Sequence, residues 1–419
     1  MEYVLSVRQE PTDPRFEIGT TSLGNLTLAF PHVATERGTD ARYEALGGAG
    51  ADVDAELAWI RAVVEGAERY CCLVHEEGDF VVATAAELGA EAMNLSLVPH
   101  LSDREYADPA CPFVPPDSTI PIRWTRAYSL MDRRQVFVPA IMTHLYLDVR
   151  DGENFWQPIT TGVAAHADLA KALVSAICEV IERDAIALTW LCRIPLPLIK
   201  IDDPVPDVLA TGIERLRESK IRQYFFDATT DLGVPTVYAL QLVEGHETLS
   251  QFVSCATDFD AAAACAKTIR EAAASRPVFN TSYQPPNEIA DFSNLYDGAI
   301  EMGRPGNREA FRFLLDSPRR RALSTIGPNL PIDDKSRIQV LLGRLAELGM
   351  DAFVVDLTTD EVREAGLWVT RVVIPQLVPM SSIHRARYLG HPRIYEYAKK
   401  AGCGTIAEQD INPAPQPFA

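Results

Sequence analysis

Apolar residues recur at helical spacing in three stretches: DAELAWIRAVVEGAERYCCLV (54–74), DLAKALVSAICEVIERDAIALTW (168–190) and DAAAACAKTIREAAASR (260–276). That period predicts helices. β-Branched and apolar runs predict strands in QVFVPAIMTHLYLDV (135–149), DAFVVDLTT (351–359) and LWVTRVVIPQLV (367–378). Proline-dense breaks at 107–122, 193–207 and 276–288 read as loops within one architecture rather than as linkers. With helices and strands alternating, the fold class is α/β or α+β.

Two of the helices share a polar face. The first places Arg61, Glu65 and Glu68 at i, i+4 and i+7, with Arg69 completing an E-x-x-E-R. The second places Ser175, Glu179 and Glu182 at the same spacing, with Arg183 after them. At about 100° per residue these positions fall within roughly 60° of one another. Val63, Ala67 and Tyr70 lie opposite on the first helix; Leu173, Ile177 and Val180 do so on the second. Acids opposite an apolar stripe are what a surface helix shows. Stacked acids, however, destabilise a lone helix by a few tenths of a kcal/mol. Four carboxylates converging from two helices would suit Mg²⁺, which shares its oxygen ligands with phosphates. Those residues point as far as a metal–phosphate site.

Composition narrows the partners. The 419 residues are 47% hydrophobic, enough for two or three domains or one large one. A net charge of −19 argues against duplex nucleic acid or an anionic membrane as partner and leaves room for bound cations. No stretch reads as a membrane span and the start lacks signal-peptide features, so a cytoplasmic location is expected. Eight cysteines without a C-x-x-C pair predict reduced thiols rather than zinc or disulfides. No G-x-x-x-x-G-K-[ST] or G-x-G-x-x-G occurs, and LGGAGAD (46–52) does not supply one. Any phosphate bound here is held by metal and side chains.

The chain ends NPAPQPFA, with Pro413, Pro415 and Pro417 at alternate positions. Alone, such a tail reads as disordered. The other reading is a semi-rigid strut, about 15 Å long at the polyproline rise.

TTGVAAHADLAKALVSAICEVIERDA (160–185) closely resembles the central signature of YcaO-domain proteins. GGAGADVDAELAWIRAVVEGAERY resembles the family's earlier acid helix and KTIREAAASR its third. VVDLTTDEVREAGLWVTRVVIPQLVPM and HRARYLGHPRIYE resemble its C-terminal part, in the same order. The resemblance runs from about residue 47 onward. A C-terminal P-x-P-x-P marks the azoline-forming branch, in which the tail is ordered beside the active site; thioamide- and amidine-forming branches commonly lack it. The resemblance implies the YcaO fold, with mixed β-sheets flanked by helices and the acidic helices lining an internal ATP/Mg²⁺ site. It divides the chain into an N-terminal segment (1–46) of the same domain, a YcaO domain (47–412) and the tail (413–419).

The activity implied is that of an ATP-dependent cyclodehydratase, which turns Cys, Ser or Thr of a ribosomal precursor peptide into thiazoline or oxazoline. Glu65, Glu68, Glu179 and Glu182 would hold Mg²⁺. Arg61, Arg69, Ser175, Glu271, Arg276 and Arg371 would contact nucleotide or metal. Pro413, Pro415, Pro417 and Ala419 would position substrate or supply a carboxylate base. Two residues depart from the family pattern: Arg61 stands where Ser is usual, and Ala274 where Gln is usual. Implied partners are a separate E1-like (ThiF-like) leader-binding protein, a flavin-dependent azoline dehydrogenase where azolines are oxidised, and a second copy in a homodimer. The alternatives are a thioamide- or amidine-forming enzyme, or a non-catalytic scaffold subunit, which Arg61 and Ala274 would explain.

Overall fold

The computed structural model describes residues 2–5, 9–10, 13–24, 26–34 and 47–418. In the first sheet β1 (Glu2–Leu5), β2 (Glu17–Ser22) and β3 (Gly47–Asp52) pair antiparallel, and α1 (Ala55–Leu73) follows. The second sheet takes β4 (Val81–Ala83), β5 (Ile122–Ser129), β6 (Arg134–Pro139) and β7 (Val163–His166), and α2 (Leu169–Leu191) leaves β7. The third begins with β8 (Leu198–Lys200), continues past α3 (Asp207–Glu218) into β9 (Arg222–Asp227), β10 (Thr236–Leu242) and β11 (Gln251–Thr257), and leads into α4 (Ala261–Phe279). After α5 (Leu295–Gly303), β12 (Arg320–Ala322) returns to the third sheet. Following α6 (Asp334–Glu347), β13 (Phe353–Asp356) and β14 (Trp368–Val373) return to the second, and α7 (Pro392–Lys400) comes last. The strand orders are β11-β10-β9-β8-β12 and β4-β5-β13-β14-β7, with β6 on β5.

Each long helix is sandwiched between two sheets. α1 packs on β2 and β3 and also on β7 and β14; α2 packs on β7 and β14 and on β10 and β11; α4 packs on β10 and β11 and back on β3. Three sheets and three helices thus alternate around a ring. This explains why α2 is buried nearly all round, with Glu182 and Asp184 among its buried residues. Acids facing away from its apolar stripe face a protein interior, not solvent.

Local sequence sets this up three times. A strand ends, an aspartate follows, and the helix starts. Asp54 accepts from the N–H groups of Glu56 (2.8 Å) and Leu57 (3.1 Å), Asp168 from Ala170 (2.8 Å) and Lys171 (3.2 Å), and Asp260 from Ala262 (2.8 Å). Each cap satisfies N–H groups that the first helical turn leaves without partners. Eleven and fourteen residues after the caps stand Glu65 and Glu68, Glu179 and Glu182, and Glu271 and Ala274. Glycines let the first unit close up. A Cβ on Gly48 would lie 2.0 Å from the Ala62 carbonyl oxygen, so only glycine allows α1 to touch β3 there.

The expected strands are shorter in the structure. The run at 135–149 is extended only to Pro139, where a 3₁₀ turn (Ala140–Met142) begins. Proline cannot donate to a ladder, and the apolar residues beyond it are buried in the core rather than paired.

Candidate nucleotide and metal site

The four acids of the two E-x-x-E-R helices each accept a backbone N–H from a strand or from the turn before it. Glu65 accepts from Ala49 (2.7 Å), Glu68 from Ala165 (2.7 Å), Glu179 from Gly162 (3.0 Å) and Glu182 from Thr257 (2.8 Å). The leading acid reaches its own unit, and the trailing acid reaches the strand of the next unit. Glu68 and Glu182 therefore stitch one unit to the next while pointing inward.

Burial makes several of these acids reluctant to ionise even with cations nearby. Burial raises the Glu68 carboxyl to about 8 against its Ala165 hydrogen bond, and the nearby Glu179 and Glu65 push the same way. Burial also raises Glu179, countered by Arg183. Glu68 nevertheless keeps part of its surface accessible, so it is recessed but within reach of a small ligand. The third helix adds Glu271, raised to about 7 by burial against the pull of Lys267. Lys267 Nζ stands 3.5 Å from Glu271 and 3.8 Å from Glu182.

Arginines surround the acids. Arg69 pairs with Glu65 (2.6 Å) and donates to the Gly47 carbonyl; Arg183 lies 3.4 Å from Glu179. Arg371, on β14, is buried and electrostatically coupled to Glu179 and Cys72. The Nε atoms of both Arg183 and Arg371 are buried without a hydrogen-bond partner. A buried guanidinium N–H left unpaired is costly and suits an anionic ligand.

This donor set fits Mg²⁺ with a polyphosphate. The acids are oxygen ligands, burial makes the recessed Glu68 resist ionisation even with Arg69 nearby, and the orphan guanidinium N–H groups suit phosphate oxygens. Among the described residues no three His, Cys, Asp or Glu side chains are gathered tightly enough to hold an ion alone. A bound Mg²⁺ would complete its shell with phosphate and water, its usual habit.

The tail reaches this site as an ordered segment. Asn412 donates through its backbone N–H to the Leu191 carbonyl (2.8 Å) and through Nδ2 to that of Trp190 (3.1 Å), while Trp190 Nε1 donates to the Ala414 carbonyl (3.2 Å). The Gln416 carbonyl crosses α5 at Gly298, where a Cβ would lie 2.1 Å away. Pro413 is exposed, whereas Pro415 and Pro417 are buried. Phe418 is buried in the main core, with the Arg183 guanidinium 5.1 Å from its ring. A tail that reads as disordered by composition is thus packed against the residue that follows Glu182. Ala419 lies outside the described residues.

The remaining expected residues are distributed unevenly. Ser175 is exposed on the Glu179 stripe. Arg61 binds Asp52 through Nε (3.1 Å) and Nη2 (3.0 Å). Arg276, expected at the nucleotide, is instead buried with its Nε on Asp13 (3.1 Å) and its Nη2 on the Leu249 carbonyl (3.4 Å). Neither partner is one of the cluster acids. Its neighbour in the motif, Ala274, packs in the apolar cluster that contains Ala51 of β3. Lys267 was not picked out from the sequence, although it stands seven residues after its cap, as Arg61 and Ser175 do. Asp184, the aspartate after E-x-x-E-R, is structural: it accepts from Arg393 Nε and Nη2 (2.8 Å each) and from the Val378 N–H (2.9 Å).

Comparison with known proteins bears on the family and the fold. The family model described as "YcaO cyclodehydratase", ATP- and Mg²⁺-binding, matches residues 47–378. An uncharacterized protein of Methanothermobacter thermautotrophicus is 25% identical over 285 residues, 66% of this chain and 72% of that one. A heterocyclase solved in complex with substrate and cofactor superposes with a TM-score of 0.79 at 19% identity, over 100% of this chain and 55% of that chain. This chain therefore spans about half that protein's length. A chain of the E. coli microcin synthetase McbBCD complex superposes with a TM-score of 0.65 at 15% identity, over 100% of this chain and 96% of that one. Among the described residues no helix is long and apolar enough to cross a membrane.

Proposed function

Because this chain belongs to the YcaO cyclodehydratase family, ATP- and Mg²⁺-binding, we propose that it forms azolines in a ribosomal precursor peptide. The thiol or hydroxyl of Cys, Ser or Thr adds to the carbonyl carbon of the preceding amide. The amide oxygen takes the γ-phosphoryl group of ATP and leaves as phosphate, and loss of the N–H proton closes the C=N bond. Net change in the peptide is one water lost per ring. Amide oxygen is a poor leaving group, and phosphorylation makes it a good one.

The observation that carries this reading is the inward-facing quartet Glu65, Glu68, Glu179 and Glu182, each oriented by a backbone N–H. These carboxylates would hold Mg²⁺, which would supply charge neutralisation for the phosphates. Arg183 and Arg371 would direct their unpaired Nε–H groups to phosphate oxygens, and Arg69 fixes Glu65 in place. Preorganised donors of this kind need no reorganisation when charge develops. The tail, held by Trp190 and by Phe418 on Arg183, would fix the peptide beside the same turn of α2. Its packing favours azoline formation over thioamide or amidine formation.

Peptide capture is assigned to a separate E1-like (ThiF-like) leader-binding protein, with a flavin-dependent dehydrogenase acting where azolines are oxidised. The likeness to one chain of the multi-subunit McbBCD assembly supports a shared-labour arrangement. A homodimer and a cytoplasmic site of action complete the proposal. The test is reconstitution with precursor peptide, partner and ATP, the amide oxygen carrying ¹⁸O. Loss of about 20 Da per ring (H₂¹⁸O) with ¹⁸O in the released phosphate supports the reading; ATP hydrolysis without label transfer contradicts it.

A further inference from the structure

Outside the acid cluster, a groove of about 430 Å³ runs between the C-terminal half of α3 and the start of β9. Ile213 and Leu216 line it from α3 and Phe225 from β9; Leu216 and Phe225 are buried, and Ile213 is half-buried. Arg217, Lys220 and Arg222 complete the lining, and all three are exposed. The groove lies behind α4. A Cβ on Gly212 of α3 would meet Ile269 Cδ1 at 2.8 Å, and Gln223 Nε2 donates to Thr268 Oγ1 (3.1 Å). At about 100° per residue, Ile269 points away from Lys267 and Glu271. The groove is therefore separate from the nucleotide and metal site.

One side of the groove is an open strand edge. All of β9 pairs with β10, from Arg222↔Leu242 to Asp227↔Val237, whereas β8 pairs with β9 at one position, Leu198↔Phe226. Beside Arg222, Gln223 and Tyr224 the β8 side of the strand is unpaired. Such an edge presents backbone N–H and C=O groups to an extended chain laid along it. Charge selects the chain. Residues 214–222 read ERLRESKIR, four cations to two acids in a protein of net charge −19. Glu218 takes Arg215 (3.7 Å). Among the described residues Arg217, Lys220 and Arg222 form no ion pair, and Arg222 makes one long bond to the Tyr224 hydroxyl (3.5 Å). Cations that only guarded an edge from pairing would need no apolar wall beside them.

We propose that this groove docks an extended acidic segment of a partner protein, which adds a short strand to the open edge of β9. Side chains alternate along a strand. One set of the segment's side chains, apolar, packs on Ile213, Leu216 and Phe225, and the other, acidic, meets Arg217, Lys220 and Arg222. The docked segment is a recognition element rather than the reacting one, because α4 stands between it and the acids. Docking here does not depend on the nucleotide reading, and either can fail without the other.

Fluorescence anisotropy of a labelled, capped hexapeptide alternating Glu and Val, titrated with the full chain, tests this. The controls are the same peptide with Lys in place of Glu, and two versions N-methylated at alternate residues, one in each register. The acidic peptide should bind saturably and the lysine peptide should not. N-methylation should abolish binding in one register and spare it in the other, because one set of N–H groups faces the strand. Arg217→Glu with Arg222→Glu should weaken binding about tenfold, since two attractions become repulsions; Lys at both positions should keep most of the affinity. No saturable binding at millimolar protein, equal binding of the acidic and lysine peptides, or equal effects of the two N-methyl registers overturns the proposal. So does an affinity within about twofold of wild type in the charge-reversed variant. Sedimentation of the same variant covers a second copy as occupant: a changed oligomeric state, with no peptide binding by wild type, overturns docking of a partner segment.

Discussion

Above pH 8 the free protein must carry Glu68 as a carboxylate in a recess it shares with Glu179 and Glu65, and the cost of doing so can be read directly. The carboxyl ionises near 4.5 in an ordinary environment and at about 8 in the fold. Below about pH 4.5 both folded and unfolded forms are protonated, and the group contributes nothing. As pH rises from there to about 8, the unfolded chain releases the proton first, so the fold loses up to about 1.4 kcal/mol per pH unit. Beyond pH 8 the penalty levels off, on the order of 5 kcal/mol. Glu68→Gln removes it while retaining an oxygen for the Ala165 N–H. Urea unfolding in EDTA, from about pH 5 to about pH 9, should show the variant gaining on wild type across this window. Taking the difference between the two proteins removes the contribution of Glu271, whose upward shift is common to both, and leaves Glu68 together with its mutual repulsion with Glu179 and Glu65. Saturating Mg²⁺ and ATP should shrink the gap, because the ionised Glu68 then faces a cation. Stability curves that run parallel from pH 5 to pH 9 would refute the argument, since they would mean that Glu68 is solvated and free of its acidic neighbours.

Other perturbations separate structure from chemistry. Deleting Pro413 to Ala419 should abolish ring formation, read by peptide mass, while leaving ATP affinity within a few-fold. Phe418→Ala alone should cost about 3 kcal/mol in denaturant unfolding, because the ring is buried in the main core; no loss of stability would mean that the tail is not docked in solution. Asp184→Asn should cost about 3 kcal/mol, near the lower end for a broken buried pair, because Arg393 keeps Asp231 at 2.8 Å. Gly48→Ala should lower the melting temperature and weaken Mg²⁺ binding together, since moving α1 off β3 displaces Glu65 from the Ala49 N–H; unchanged Mg²⁺ affinity would show that the carboxylate needs no such support.

Helix period and acid spacing were enough to find the four carboxylates, because both depend only on local geometry. Period alone does not say what covers a polar face. The Glu179–Glu182 stripe reads as a solvated surface, but a second sheet encloses it and turns the stripe inward. Burial of the tail was invisible for a similar reason. Its affinity for the fold comes from Trp190, Gly298 and Arg183, all more than one hundred residues away. Arg276 stands in a motif with Glu271, but its side chain leaves a different face of α4 for Asp13, while its Nη1 stays buried without a partner. A signal for Lys267 was present in the register counted from the three aspartate caps, where it aligns with Arg61 and Ser175. That register becomes visible only when the third helix is set beside the other two.

The central claim is that the two E-x-x-E-R helices hold Mg²⁺ and ATP. Calorimetric titration of Mg²⁺·ATP into wild type and into the Glu179→Ala, Glu182→Ala double variant tests it most directly. The account predicts Mg²⁺-dependent binding by wild type and its loss in a double variant that remains folded. Equal binding by the two proteins would contradict it and place the nucleotide elsewhere.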